Sequence, residues 1–295
     1  MANPALKFAG DPKPQPVRLV EFAPDVEPTT PGAILDCGNL YPSTKGYRSY
    51  PSLTKYSANA LPSAALGTFS GLFGSTYIVV VGITNQIYML DTASLLLTSQ
   101  NIVGLSSTNR WRFDLYGNLL VAVNGTNSNQ SYNGTTWSAQ GGSPPIAGIV
   151  QASNYSLFLI PPNSRTWWSS LSATIWTPSI ATQTVTDNLD ETPGNITAAH
   201  KLRAGMALYK RNALHFGTFS GPPFFWDFRI VSSKVGAPGQ EAVANLGDVQ
   251  YFPGADDFYS FDGYSLSPIP NQLREWFFRM LDGALADLIT ARWDP

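Results

Sequence analysis

Tyr77-Ile-Val-Val-Val-Gly-Ile83, a Thr-Asn turn, and then Gln86-Ile-Tyr-Met-Leu-Asp91 form the stretch on which the fold turns. A β-branched apolar run of strand length, followed at once by a second apolar run, reads as a β-hairpin. The unit recurs. Arg110-Trp-Arg-Phe-Asp114, Leu119-Leu-Val-Ala-Val123, Gln130-Ser-Tyr132 and Trp137 form a second group. Ile146–Gln151, Tyr155–Ile160, Arg165–Ser169 and Ile175-Trp176 form a third, and Lys201–Leu208, Ala213–Thr218 and Phe224–Val231 a fourth. The fifth group is Gln240–Leu246, Asp248–Phe252, Phe258–Phe261 and Leu266–Ile269. Three or four short strands repeating about every 35 to 45 residues are the signature of propeller blades. The predicted fold is therefore all-β, a β-propeller of about five to six blades.

A shorter motif points the same way. Ser131-Tyr-Asn-Gly134-x-x-Trp137 and Ser260-Phe-Asp-Gly263-x-x-Leu266 share an aromatic strand end, an Asx-Gly pair and a large apolar residue. Asn-Gly and Asp-Gly are the pairs that a two-residue type I′ turn demands, so both read as outer hairpins of blades.

The ends of the chain differ from its middle. Ten of the 23 prolines fall between Pro4 and Pro62, with Pro12, Pro14 and Pro16 at every second position. Proline fixes φ and removes a donor, so a helix or central strand is not expected across Ala9–Thr30. Apolar residues such as Val17, Leu19, Phe22, Tyr41 and Tyr50 punctuate the stretch as anchors. Residues 1–61 are read as an extended Pro-rich arm, with 9–55 lying along the propeller or an adjacent copy. Residues 62–295 are read as the propeller domain. Near its end, Leu273, Phe277 and Met280–Leu281 stand at helical spacing, which predicts one short helix within Asn271–Asp282. The apolar run Leu285–Ile289 reads as the start of a sixth, incomplete blade.

Composition excludes several function classes. Charged residues are 13% of the 295, against roughly 25% in ordinary soluble chains. Net charge is −2, so the chain has no global basic character for coating nucleic acid. The single cysteine, Cys37, rules out an intrachain disulfide framework and any multi-thiolate zinc site. The only histidines, His200 and His215, fall in one blade and read as structural. Asp256, Asp257 and Asp262 have the wrong offsets for a calcium loop and read as a solvated turn. Asp187, Asp190 and Glu191 are the candidate carboxylates for glycosidic cleavage, but they crowd one Asx/Thr/Pro/Gly-rich loop. The sequons at Asn124, Asn129, Asn133, Asn154 and Asn195 read as chance in an Asn/Ser/Thr-rich chain. Met1–Lys13 has no apolar segment of the secretory kind, and no run approaches the about 20 apolar residues of a membrane span. The expectation is no enzyme, no catalytic residue, no metal and no cofactor. Tyr56–Leu90 and Leu115–Ser164 carry no charge, so uncharged surface is abundant, and Arg110, Arg112, Lys210 and Arg211 are the residues a nucleic-acid clamp would use.

Val20-Glu-Phe-Ala-Pro-Asp25, Pro28-Thr-Thr-Pro-Gly32 and Asn39-Leu-Tyr-Pro-Ser-Thr-Lys-Gly46 before Tyr50-Pro-Ser52 resemble the N-terminal segment of one family. These are β-propeller tail proteins of tailed bacteriophages, related to packaged-DNA stabilisation or tail-nozzle proteins. Arg165-x-Trp-Trp-Ser-Ser-Leu171 with Trp176-Thr-Pro178 is similar to their mid-propeller motif. Asp256-Asp-Phe-Tyr-Ser-Phe-Asp-Gly263, Pro268-Ile269 and Trp276-Phe-Phe278 are similar to their late-blade motif. Relatives are expected to continue past Trp293-Asp-Pro295 into further strands. The resemblance implies a virion structural protein of the tail, made in the host cytoplasm. It implies a homo-oligomer, six copies in a short-tailed phage, around the DNA ejection channel. The implied partners are other tail proteins, such as a portal-proximal adaptor ring and fibres, and passing duplex DNA bound without sequence specificity. No membrane insertion is implied. The alternative reading is a lectin-like receptor-binding or fibre-adaptor propeller of the tail tip, recognisable by exposed Tyr or Trp in a loop cleft.

Overall fold

The structure, a computed structural model, describes residues 21–27, 33–34, 40–43, 46–49 and 54–292. The expected path of residues 9–20, the anchors Val17, Leu19 and Tyr50, and Cys37 lie outside the described residues. The chain divides into two units, residues 1–53 with 270–280 and residues 54–269 with 281–295.

In the first unit, β1 (Glu21–Phe22) pairs in parallel with β2 (Ala33–Ile34), and β3 (Leu40–Ser43) pairs antiparallel with β4 (Gly46–Ser49). Ala23 N–H still donates to Ile34 O at 3.0 Å, but Pro24 after it has no donor, which fits so short a pairing. The predicted helix forms over a shorter span, α1 (Arg274–Met280). Its start is set by two side chains. Asn271 Oδ1 accepts the Leu273 N–H at 3.0 Å, and the Asp25 carboxylate accepts the N–H groups of Glu275 and Trp276 at 2.7 Å each. An anionic acceptor on first-turn donors is what a helix N-terminus favours. Phe22 adds an edge-on contact to the Trp276 ring at 5.5 Å.

The second unit consists of five four-stranded antiparallel sheets, each running in chain order from first strand to last. Blade 1 is β5 (Gly67–Phe73), β6 (Thr76–Gly82), β7 (Ile87–Leu90) and β8 (Leu97–Ser99). Blade 2 is β9 (Arg112–Tyr116), β10 (Leu119–Val123), β11 (Gln130–Tyr132) and β12 (Trp137–Ala139). Blade 3 is β13 (Ile149–Ala152), β14 (Leu157–Ile160), β15 (Thr166–Ser170) and β16 (Thr184–Asn188). Blade 4 is β17 (Ile196–Leu202), β18 (Gly205–Lys210), β19 (Ala213–Gly221) and β20 (Phe225–Ser232). Blade 5 is β21 (Ala244–Asn245), β22 (Gln250–Pro253), β23 (Phe258–Phe261) and β24 (Leu266–Pro268). The fold is a five-bladed β-propeller.

The second strands of blades 2 and 3 are apolar without interruption because both faces of those blades are buried. In β10, Leu120 and Ala122 pack toward blade 1 while Val121 and Val123 pack toward blade 3. In β14, Leu157 and Leu159 face blade 2, and Phe158 and Ile160 face blade 4. In β18, Met206 and Leu208 face blade 3, and Ala207 and Tyr209 face blade 5. Four apolar clusters thus join successive blades. Between the first two, a Cβ on Gly82 would fall 2.4 Å from the Trp111 ring, so glycine is what permits that approach.

Several expected elements are relocated. The fourth strand of blade 3 is Thr184–Asn188, not Ile175-Trp176; Trp176 instead fills the blade 2–3 cluster, its indole N–H bonded to Ala173 O at 3.3 Å. The expected strand Lys201–Leu208 is split by a hairpin at Arg203-Ala204, and the first strand of that blade begins at Ile196. Leu285–Ile289 does not begin a sixth blade. It belongs to a 3-10 turn, Gly283–Leu288, capped by Asp282 accepting from Ala284 N at 2.9 Å. The Asx-Gly hairpins are present, but as four-residue loops. Tyr132 pairs with Trp137, and Phe261 with Leu266. Asn133 Oδ1 accepts from Thr135 and Thr136 N–H, and Asp262 Oδ1 from Tyr264 and Ser265 N–H, so only the glycine needs a positive φ. Asp91 makes the same Asx turn in blade 1 without a glycine beside it.

Candidate functional site

The first strands of the blades converge. Thr68 of β5, Arg112 and Asp114 of β9, Gln151 of β13, His200 of β17 and Glu241 before β21 line one axial cavity of about 520 Å³. Thr290 and Arg292 from the end of the chain also line it. A second cavity of about 490 Å³, lined by Asn109, Asn195, Pro238 and Asp287, lies where the first strands begin and shares Arg110 and Arg112 with the first. The terminal segment reaches both. It is held there by Arg110 donating to Leu288 O at 3.4 Å, by Ala291 N–H donating to Glu241 O at 2.8 Å, and by an Arg292–Glu241 ion pair.

Charge in the axial cavity is internally matched. Arg112 donates to Gly148 O at 2.6 Å and stands 3.7 Å from the Glu241 carboxylate, while its buried Nε has no hydrogen-bond partner. Burial lowers its pKa, and Glu241 opposes that shift. Burial pushes the Glu241 carboxyl up, but the hydrogen bond and charge of Arg292, with Arg112 and His200, outweigh it and leave it below its usual range.

Asp114 is the most perturbed acid. Burial pushes it up to about 6, against hydrogen bonds from Ala152 and Leu115. Its Oδ2 accepts from Ala152 N–H at 2.6 Å and Gln151 Nε2 at 2.7 Å, and its Oδ1 from Leu115 N–H at 2.8 Å. Asp114 thus takes a proton more readily than Glu241 on the same cavity, and carboxyls set apart in this way are used in acid–base pairs. Here, however, Asp114 Oδ2 is committed to latching β9 onto β13, and Oδ1 to the Leu115 N–H of its own strand. His200 is held down to about 4 by burial, and its Nε2 lies 2.8 Å from Gln240 O. Gln240 in turn bridges the main chain of Ala199 with both ends of its amide. The arrangement rivets the first strands together around the axis.

The residues singled out in the sequence are scattered. Asp187 lies on β16, and Asp190 pairs with Arg165 at 3.1 Å on the exposed loop that follows, next to Glu191. His215 is buried against Thr192 Oγ1 at 2.8 Å. Asp257 Oδ1 accepts the Phe258 N–H, and Asp262 holds its turn. Among the described residues no group of three or more His, Cys, Asp and Glu gathers to hold a metal. The four basic residues do not form a surface clamp. Lys210 is fully buried and donates to the carbonyls of Leu189 and Thr192, Arg112 points into the axial cavity, and Arg211 donates to Gly283 O. Sequence reading overlooked Asp114 and Glu241. Nothing in their immediate neighbours marks them, and their place at the first element of a blade gains meaning only once the blades surround an axis.

Fold and cavity together define a five-bladed propeller whose centre is occupied by its own charged side chains and chain end. No family model matches the chain, and no curated protein matches it. Among solved structures, the extracellular domain of the putative one component system BT4673 from B. thetaiotaomicron is similar over 73% of this chain, with 11% identity and a TM-score of 0.51. This chain spans 29% of that one. YCF48 from Cyanidioschyzon merolae is similar over 67% of this chain and 76% of its own, with 13% identity and a TM-score of 0.46. At such identities the likeness is one of fold.

Proposed function

We propose that the chain is a structural propeller of a tailed-bacteriophage tail, several copies of which form a ring around the channel through which DNA leaves. One observation supports this reading above the rest. Two of the segments that resemble the tail family, around Asp25 and around Trp276, lie some 250 residues apart and belong to one unit. There Asp25 caps the helix that carries Trp276, and Phe22 packs on its ring. The other motifs form scaffold: Arg165–Leu171 spans β15, and Asp256–Gly263 spans β23 and its turn.

Lys210 is buried and Arg112 is paired with Glu241, which takes two of the four residues out of the opposing DNA clamp and favours a conduit wall over a clamp. Electron microscopy of the purified protein, with sedimentation over a concentration series, tests the reading. Closed rings of several copies are expected. A chain that remains a monomer at about 100 μM, where contacts of even micromolar strength would be populated, refutes it. Duplex DNA binding with a steep salt dependence refutes the conduit role.

A further inference from the structure

On the face opposite the one where the first strands begin, three hairpin turns from different blades surround a cleft of about 570 Å³. They are the β13–β14 turn with Tyr155, the β17–β18 turn with Arg203, and the β23–β24 turn with Tyr264. The volume is within the about 300–1,000 Å³ of ligand pockets.

Its walls are aromatic. Tyr155 stacks on Phe219 at 4.3 Å with the rings 11° from parallel, yet remains 40% exposed, and Tyr264 is 76% exposed. Both charged residues that line it are arginines, and among the described lining residues there is no carboxylate. The Arg203 guanidinium stands 5.8 Å from the Tyr264 ring centroid, and that of Arg229 5.7 Å from the Phe216 centroid. Arg229 spends one hydrogen bond on Gly263 O at 2.7 Å, and Arg203 has one ion pair, to Asp248 at 3.6 Å. A guanidinium carries five donors in a planar fork, so both retain donors for a bidentate acid. Exposed flat rings beside those forks suit a ligand with an apolar face and an anionic group on one frame.

We propose that this cleft binds an acidic saccharide, its carboxylate or sulfate held by Arg203 and Arg229 and its pyranose face against Tyr155 or Tyr264. An acidic peptide would supply the anion but no flat face for the exposed rings. The proposal stands on the cleft alone and holds whether or not the chain builds a tail ring.

The test is a panel of uronic, sialylated and sulfated oligosaccharides with neutral counterparts, presented to the full-length protein and followed by calorimetric titration of whatever binds. Acidic members are expected to bind and neutral ones not, with affinity falling as salt rises. Tyr264→Ala and Arg203→Ala, both at exposed positions, should each weaken binding by about tenfold, while Tyr251→Ala on another blade face leaves it unchanged. Thermal unfolding verifies that each variant folds. Failure of every acidic glycan to bind overturns the proposal. So does equal binding of neutral glycans, binding that survives both substitutions, or binding of poly-glutamate alone.

Discussion

Replacing Asp114 with asparagine separates two opposed titrations in the axial cavity. An ordinary aspartate titrates at 3.8, and burial moves Asp114 to about 6. The folded chain therefore binds this proton more tightly than the unfolded chain. The group's stabilising contribution is complete below about pH 4 and is lost as pH rises through 6. At about 1.4 kcal/mol per pH unit, the gap is worth about 3 kcal/mol. His200 works the other way. Its ordinary value of 6.5 is lowered to about 4, so its contribution is present above 6.5 and lost as pH falls through 4, again by about 3 kcal/mol.

The two slopes nearly cancel in the wild type. Asp114→Asn keeps an oxygen for the Ala152 N–H and removes the titration. Urea unfolding from pH 4 to 7.5 should show the variant gaining about 3 kcal/mol on the wild type as pH rises. His200→Gln, which keeps a donor for Gln240 O, should show the mirror image and lose its advantage as pH rises. A difference between Asp114→Asn and wild type that stays constant to within about 0.5 kcal/mol across this range refutes the assignment.

Trp176→Ala should cost about 3–5 kcal/mol in urea unfolding, because an indole only 2% exposed fills the blade 2–3 cluster from a loop. Asn133→Ala removes two turn hydrogen bonds and should cost about 1 kcal/mol, measured the same way. Asp262→Ala removes the matching pair in blade 5 and should also lower the urea midpoint, the two effects adding because the turns are in different blades. Asp25→Ala withdraws the cap of α1, and hydrogen exchange at the Glu275 and Trp276 amides should then accelerate about fivefold, while amides of β10 and β14 keep their protection.

The propeller was legible in the chain because its cause is local. A strand buried on both faces is largely apolar at successive positions, and Ile78–Ile83, Leu119–Val123 and Leu157–Ile160 declare this without reference to anything distant. The Asx-Gly pairs were equally legible as turns, since the side chain and the glycine act within four residues. Loop size was not, because it depends on which strand residues pair. Thr184–Asn188 was missed for a related reason: an outer strand with one solvated face is polar, and it looks like loop until β15 is set beside it. Ile175-Trp176 resembled a strand because a buried indole has the same composition whether it sits in a ladder or plugs a cluster.

The axial site was beyond local reading altogether. Asp114, His200, Glu241 and Arg292 are separated by up to 178 residues, and nothing in their neighbours distinguishes them from surface charges. Only closing the blades around an axis brings them together, withdraws water from Asp114 and His200, and turns ordinary charges into a matched set. The sequence determined which residues make strands and turns, since those choices rest on periodicity and backbone conformation. The tertiary structure decided which side chains share an environment. Burial and Coulomb energy depend on distances in space that a one-dimensional pattern does not carry.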